Sequence, residues 1–355
     1  MKTPILSHTS GSYAHFIQNQ LGKGFQHALL VYQEFCRTGA ILAQHPAFNN
    51  APYLLEAILD LTDFSYLPIS SNLTDGKTGK FLLKTADGLS IESVLIPMKA
   101  GGTLCVSSQI GCRMGCTFCE TGRMGLLRNL KVQEIVSQLF TARFLLNFSV
   151  RNIVFMGMGE PFDNYDAVMQ AVRVLNDPLG FSLGTNHLTI STSGCIEGIE
   201  RLMQEQMPIP NLAVSLNAPT DDLRNKLMPV NRKHPLKELY EALKAFNHKT
   251  GKKILVAYVL MKDQNDTLAQ ADLLADYLTG LSVKINLIPY NPQSRDRFQP
   301  PEQEILEAFT ARLRSRGYQT LLRQTKGQKI MAACGQLGDL ELKKLKKQAA
   351  MAFQI

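Results

Sequence analysis

Three cysteines, Cys112, Cys116 and Cys119, fall within the eight residues Cys112-Arg113-Met114-Gly115-Cys116-Thr117-Phe118-Cys119, directly after Gly111. The spacing C-x3-C-x2-C forces three thiols into one loop, directly after a β-type run, and most of what the chain can be follows from that. The chain holds seven cysteines, an odd number. An odd count with local clustering does not read as a secreted disulfide framework, but as a metal or redox site in a reducing compartment. A closed structural zinc site takes four ligands, and a low-potential ferredoxin cluster takes four cysteines. No fourth ligand lies nearby, the next downstream candidates being His187 and Cys195 on a different unit. Three thiolates can hold three irons of a cubane and leave the fourth iron open. Zinc with a ligand from elsewhere is the alternative.

The loop sits at the head of a regular alternation. Candidate strands are 103–107, 152–156, 188–192, 212–216, 254–260, 284–288 and 318–322. They are nearly continuous apolar runs, as parallel strands covered on both faces require. Helical patterns fill 131–147, 163–176, 196–205, 235–248, 266–279 and 301–316, with Pro235 and Pro301 where a first turn accepts proline. Repeated strand–helix units imply a parallel sheet with right-handed crossovers. Six units predict an α/β fold with a partial (β/α)6 barrel, whose site gathers at the C-terminal ends of the strands.

Residues 1–90 break the pattern, with helices over roughly 12–38 and 52–62. A hairpin of 81–84 and 90–96 then turns at Asp87-Gly88. The expected organisation is a small N-terminal accessory domain over 1–90, a barrel over 91–339 and a basic helical tail over 340–355. A hydrophobic fraction of 45% with 19% charged residues suits a chain with a sizeable core and excludes wholesale disorder. No apolar run approaches the ~18 residues of a membrane span, and the first residues lack a signal-peptide core. The expectation is a cytoplasmic protein without membrane association.

Several positions fit a ligand laid across strand ends. Gly159 and Glu160, in Gly157-Met158-Gly159-Glu160-Pro161, follow the second strand. Glycine lets backbone approach a ligand, and Glu160 can accept from a cationic amine. Ser191 ends the third strand, Ser215, Leu216 and Asn217 the fourth, and Asn291 follows the sixth. Cys105 lies in the first strand, and Cys334 precedes a glycine far downstream. Cys36 and Cys195 read as buried structural thiols.

The cysteine spacing resembles the motif of radical S-adenosylmethionine enzymes. With Thr103-Leu104-Cys105-Val106-Ser107-Ser108-Gln109, Gly157–Pro161, Leu227-Met228-Pro229-Val230-Asn231, Ile288-Pro289-Tyr290-Asn291-Pro292 and Ala333-Cys334-Gly335-Gln336-Leu337, the chain resembles the RlmN/Cfr family of RNA methyltransferases over roughly residues 80–340. The resemblance implies a radical S-adenosylmethionine barrel with one 4Fe–4S cluster on Cys112, Cys116 and Cys119, and S-adenosylmethionine on the open iron. It implies methylation of an adenine ring carbon, carbon 2, or carbon 8 in the resistance branch. Cys334 is then the methyl carrier, hydrogen abstraction from its S-methyl group by a 5′-deoxyadenosyl radical the activating step, and Cys105 the thiol that resolves the adduct through a transient disulfide. Glu92 aligns with the general base. The chain departs from the family at Asn217, where histidine is usual, and at Gly327-Gln328-Lys329-Ile330-Met331-Ala332, which lacks the usual acidic residues. These departures leave open a paralogue acting on another RNA or substrate.

Charge agrees with a polyanionic partner. The net charge is +8, and residues 291–355 alone carry 12 basic against six acidic groups. RNA, ribosomal or transfer, is the expected partner. Arg295, Arg297, Lys326, Lys329 and the Lys343–Lys347 run are the candidate contacts. An electron donor such as flavodoxin and a monomeric state complete the expectations.

Overall fold

The computed structural model describes residues 2–98, 101–293, 297–324 and 326–338. A ten-stranded sheet organises them. Its strands are β1 (Ile69–Asp75), β2 (Thr78–Lys84), β3 (Ser90–Ile96), β4 (Gly102–Cys105), β5 (Val150–Phe155), β6 (Leu188–Thr192), β7 (Asn211–Ser215), β8 (Ile254–Leu260), β9 (Val283–Pro289) and β10 (Thr320–Leu322). They lie side by side in chain order. Pairing is antiparallel from β1 to β4 and parallel from β4 to β10.

The parallel strands are the seven anticipated from apolar runs, and β6 and β8 match residue for residue. Between them run α5 (Val132–Phe140), α6 (Tyr165–Asn176), α7 (Ile196–Met203), α8 (Asp221–Leu227), α9 (Leu236–Thr250), α10 (Leu268–Tyr277) and α11 (Gln303–Ser315). This is the partial barrel. α9 and α11 start just past the prolines expected in their first turns. Pro235 is the N-cap residue of α9, and Glu302 caps α11. α9 stops at Gly251, which takes the left-handed conformation that ends helices cheaply.

The N-terminal region holds α1 (Ser10–Leu21), α2 (Phe25–Thr38) and α3 (Pro52–Leu61). The single helix expected over 12–38 is two, because Gly22 and Gly24 both sit at positive φ. A barrel residue secures the start of α1: Asp177 accepts from the Ser10 amide at 2.7 Å and from its hydroxyl at 2.9 Å. Phe35 of α2 stacks on Phe140 of α5 with centroids 4.9 Å apart. The apolar residues of this region and of the barrel form one continuous core. The expected division at residue 90 falls between β2 and β3, which are paired strands of one sheet. β1 was not anticipated. Most of its residues are exposed or half-buried, and pairing with β2 is what holds it. No described helix is long and apolar enough to cross a membrane.

Candidate active site

The loop after β4 carries the three cysteines, and its path is set by glycines. Gly111 has φ +75°, and a Cβ there would lie 1.9 Å from the Gly125 carbonyl. Only glycine lets the outgoing and returning arms of the loop close on each other. The C-terminal end of α8 supports the loop, where the Thr117 amide donates to the Leu227 carbonyl at 3.0 Å. Cys119 then caps the short helix α4 (Glu120–Met124).

Cys112, Cys116 and Cys119 line one cavity. Its walls come from the C-terminal ends of the parallel strands: Met156 and Gly157 after β5, Ser191 and Thr192 of β6, Ser215 of β7, Val259 of β8 and Ile288 of β9. This is where a barrel places its chemistry. Cys334 and Gly335 close the cavity on the remaining side. The chain distance between the cluster loop and Cys334 exceeds 200 residues, and the fold erases it.

The donor set fits a multi-iron cluster. Burial pushes all three thiols above their ordinary range; Cys119 and Cys116 add to the effect at Cys112, and Cys119 adds to it at Cys116. Such thiols stay protonated until a metal takes the proton's place. Among the described residues no group of three His, Cys, Asp or Glu side chains converges on a single ion. In a cubane each thiolate binds its own iron, so convergence on one point is not required.

Gly159 and Glu160 both line this cavity. Gly159 has φ +103°, and a Cβ there would press within 2.6 Å of Gln109. Glu160 is 3% exposed. Its carboxylate accepts from the Ser193 amide at 2.7 Å and hydroxyl at 2.9 Å, and from the Phe162 amide at 3.2 Å. Burial raises its pKa, and the Ser193 donors oppose that rise.

Ser191, Ser215 and Asn217 line the cavity, whereas Leu216 is buried beside it. Asn217 sits at φ +58°. Its side-chain oxygen accepts from the Val259 amide at 2.8 Å, and its amide nitrogen faces the Met228 sulfur at 3.2 Å. It ties β7 to β8 while facing the cavity. Asn291 donates to the Cys334 carbonyl at 3.1 Å, so it orients the loop bearing Cys334 directly.

That loop is firmly docked. The Glu120 amide donates to the Gly335 carbonyl at 2.8 Å, and the Gln293 side chain bridges the Phe118 and Gly335 carbonyls at 2.8 and 2.9 Å. The segment bearing Cys334 therefore rests on the residues that immediately follow the cluster loop. Cys334 itself is exposed, Cys105 is buried, and both are free thiols, as are the other five. Burial pushes Cys105 up to about 12, and its Coulomb coupling to Cys334 adds to the rise. The coupling places the two sulfurs in one electrostatic neighbourhood. Glu92 is 1% exposed and ion-paired to Lys80. It meets the segment bearing Cys334 rather than lining the cavity, accepting from the Gly338 amide at 2.8 Å.

Sequence reasoning missed Lys80, Gln293 and Arg224. Arg224 had a signal: it stands just before Leu227-Met228-Pro229-Val230-Asn231. Arg297, Lys326 and Lys329 are exposed, while Arg295 and the 340–355 tail lie outside the described residues.

Comparison with known proteins agrees. The model of the radical SAM superfamily matches residues 106–273. The chain is 70% identical over 349 residues to the "Probable dual-specificity RNA methyltransferase RlmN 1" of Protochlamydia amoebophila, covering 98% of both chains. It is 45% identical to the "Ribosomal RNA large subunit methyltransferase N" of Nitrosopumilus maritimus, over 74% of this chain and 77% of that one. A crystal structure of a radical SAM methyltransferase from Sphaerobacter thermophilus superposes with a TM-score of 0.86 at 37% identity, covering 94% of this chain and 98% of that one.

Proposed function

Since the chain belongs to the RlmN/Cfr family of radical S-adenosylmethionine RNA methyltransferases, we propose that it methylates carbon 2 of an adenine in ribosomal RNA, transfer RNA or both, through a methylated Cys334. The observation that carries this reading is the meeting of Cys334 with Cys112, Cys116 and Cys119 around one cavity.

Cys112, Cys116 and Cys119 hold the 4Fe–4S cluster, and Gly159, Glu160, Ser191, Ser215, Leu216, Asn217 and Asn291 frame the S-adenosylmethionine site. Bound there, the cluster supplies the electron that cleaves S-adenosylmethionine and so makes hydrogen abstraction possible. Cys334 first takes a methyl group from one S-adenosylmethionine, losing its thiol proton as the sulfur–carbon bond forms. An adenine ring carbon is no nucleophile, so direct displacement fails and a protein-held carbon must attack instead. Once activated, the Cys334 methylene bonds to the ring. Glu92 takes the proton that leaves the ring carbon as the adduct radical gives up its unpaired electron, which a bound cluster would accept. Cys105 then attacks the Cys334 sulfur: the sulfur–sulfur bond forms, and the sulfur–methylene bond breaks with its electron pair left on carbon. A proton completes the methyl group, and a thiol reductant restores both cysteines. The docking of Gly335 on Glu120 and Gln293 supports this sequence, because it keeps the carrier beside the cluster loop.

The N-terminal region with its three helices, together with Arg297, Lys326, Lys329 and the basic tail, is the RNA-contacting surface in this reading. The protein works as a cytoplasmic monomer fed by a flavodoxin-type donor.

The test is mass spectrometry of the peptide containing Cys334 after anaerobic reconstitution with S-adenosylmethionine. The expected result is one added methylene, absent in Cys334→Ala. Nucleoside analysis of RNA treated with the enzyme then reads carbon 2. An unmodified Cys334 in protein with an intact cluster overturns the carrier reading, and 8-methyladenosine reassigns the ring position.

A further inference from the structure

Arg224 heads the largest fully buried side chains of the described residues, with 0% exposure. Its guanidinium donates to the Ser193 carbonyl at 2.6 Å, the Ser215 carbonyl at 3.2 Å, the Leu216 carbonyl at 3.1 Å and the Asn231 side-chain oxygen at 2.7 Å. Every one of these acceptors is a neutral oxygen. Among the described residues no carboxylate pairs with it directly, and Asp221 reaches it only through Asn231. A guanidinium does not shed its proton in a protein. A full positive charge is therefore held in the interior, where unpaired charges are costly.

The counter-charge lies on the other side. Arg224 sits in α8, and the end of α8 and the turn that follows it support the cysteine loop. Thr117 donates to the Leu227 carbonyl there, and a Cβ on Gly115 would rest 3.7 Å from Pro229. Met228 lines the cavity itself. Ser193 and Ser215, whose carbonyls Arg224 holds, line the same cavity as the three cysteines. Three thiolates make a bound cluster a net anion, and each added electron makes it more negative. A fixed cation nearby, in a medium of low dielectric, stabilises the reduced form more than the oxidised one.

We propose that Arg224 is the built-in counter-cation of the cluster, making it easier to reduce, while its hydrogen bonds hold the ends of β6 and β7 that frame the S-adenosylmethionine site. The proposal rests on the reading that Cys112, Cys116 and Cys119 carry a 4Fe–4S cluster. Arg224 acts as a positioning and electrostatic residue and touches no reacting atom.

The two effects separate in two variants. Arg224→Gln removes the charge, whereas Arg224→Lys keeps it and loses the planar fork. Iron and sulfide content is measured first, on wild type and both variants. Cluster reduction is then followed by electron paramagnetic resonance against redox mediators. The expected result is a more negative midpoint in Arg224→Gln, so that at the wild-type midpoint the ratio of reduced to oxidised cluster falls about tenfold. Arg224→Lys should stay near wild type in midpoint and bind S-adenosylmethionine more weakly. Cluster uptake by Arg224→Lys but not by Arg224→Gln supports the same role. An unchanged midpoint in Arg224→Gln overturns it, as does an equal shift in both variants. Failure of both variants to take up a cluster while their circular dichroism matches wild type also overturns it. A wild type that takes up no four-iron cluster refutes the underlying reading instead, and the proposal falls with it.

Discussion

The Lys80 ammonium lies 2.8 Å from the Glu92 carboxylate across the β2–β3 pair, and between them the two residues grip both ends of the segment bearing Cys334. Lys80 donates to the Met331 carbonyl at 3.2 Å, and Glu92 accepts from the Gly338 amide at 2.8 Å. In register Lys80 opposes Val94 and Glu92 opposes Leu82, so the pair is a diagonal contact on one face of the sheet. Removing one partner leaves a buried charge. Lys80→Met should destabilise the protein by about 3–5 kcal/mol, read from urea unfolding. The double variant Lys80→Met/Glu92→Leu should recover much of that loss. A single variant within about 0.5 kcal/mol of wild type would show that the pair does not hold the fold.

In the proposed reaction Cys105 is the thiol that releases the product. Without it the carrier sulfur has no partner to attack it. Cys105→Ala should therefore accumulate a protein–RNA adduct through Cys334, seen as a band on a denaturing gel that shifts back after nuclease digestion. Free methylated RNA at the wild-type rate from this variant would remove Cys105 from the mechanism.

The basic surface makes a quantitative prediction. Lys326 and Lys329 are exposed, and the Lys326 ammonium reaches the Pro97 carbonyl at 3.3 Å and the Met98 sulfur at 4.0 Å. If they neutralise RNA phosphates, Lys326→Ala and Lys329→Ala should each flatten the plot of log affinity against log salt by about 0.7. The modified base should stay the same. An unchanged slope would place these lysines outside the RNA contact.

Stability at alkaline pH should report on Cys36. The residue is fully buried in α2, and burial pushes its thiol up from 9.0 to about 12. Its raised value favours the protonated folded state. That contribution is whole below 9.0, where the unfolded chain also keeps its proton, and is lost as pH rises towards 12. Over that window the unfolded chain releases one proton more, costing up to about 1.4 kcal/mol per pH unit. Cys36→Ala should unfold at lower urea at neutral pH, because it leaves a small cavity, but its stability should fall less steeply above pH 9.0. Parallel slopes would mean that Cys36 ionises no later in the folded protein than in the unfolded one.

What the sequence revealed was whatever is written in neighbouring residues. β6 and β8 were readable because their apolar runs have the length and β-branched content of covered strands. The cluster cysteines were readable because one short loop contains all three. β1 was not, because an edge strand with polar, exposed side chains has no apolar run to announce it. The break near Gly22 was hidden inside a stretch whose apolar spacing continues through it. The partners of Lys80 and Arg224 were hidden for a further reason. Lys80 finds Met331 across 251 positions, and Arg224 gathers carbonyls from two strand ends. Such roles belong to the folded arrangement and leave no local spacing behind. Cys334 was found only through resemblance, since a lone cysteine before a glycine has no chemical signature of its own.

The sheet runs from β10 to β1 without a ladder joining its two ends among the described residues. The segment after β10 crosses that opening. The Lys329 amide approaches the Asp75 carboxylate of β1 at 3.4 Å, Met331 and Gly338 are held from β2 and β3, and Gly335 leans on α4. The clasp of an unclosed ring and the segment bearing Cys334 are thus one piece of chain. In the proposed reaction, any widening of that opening for a nucleotide would carry Cys334 with it.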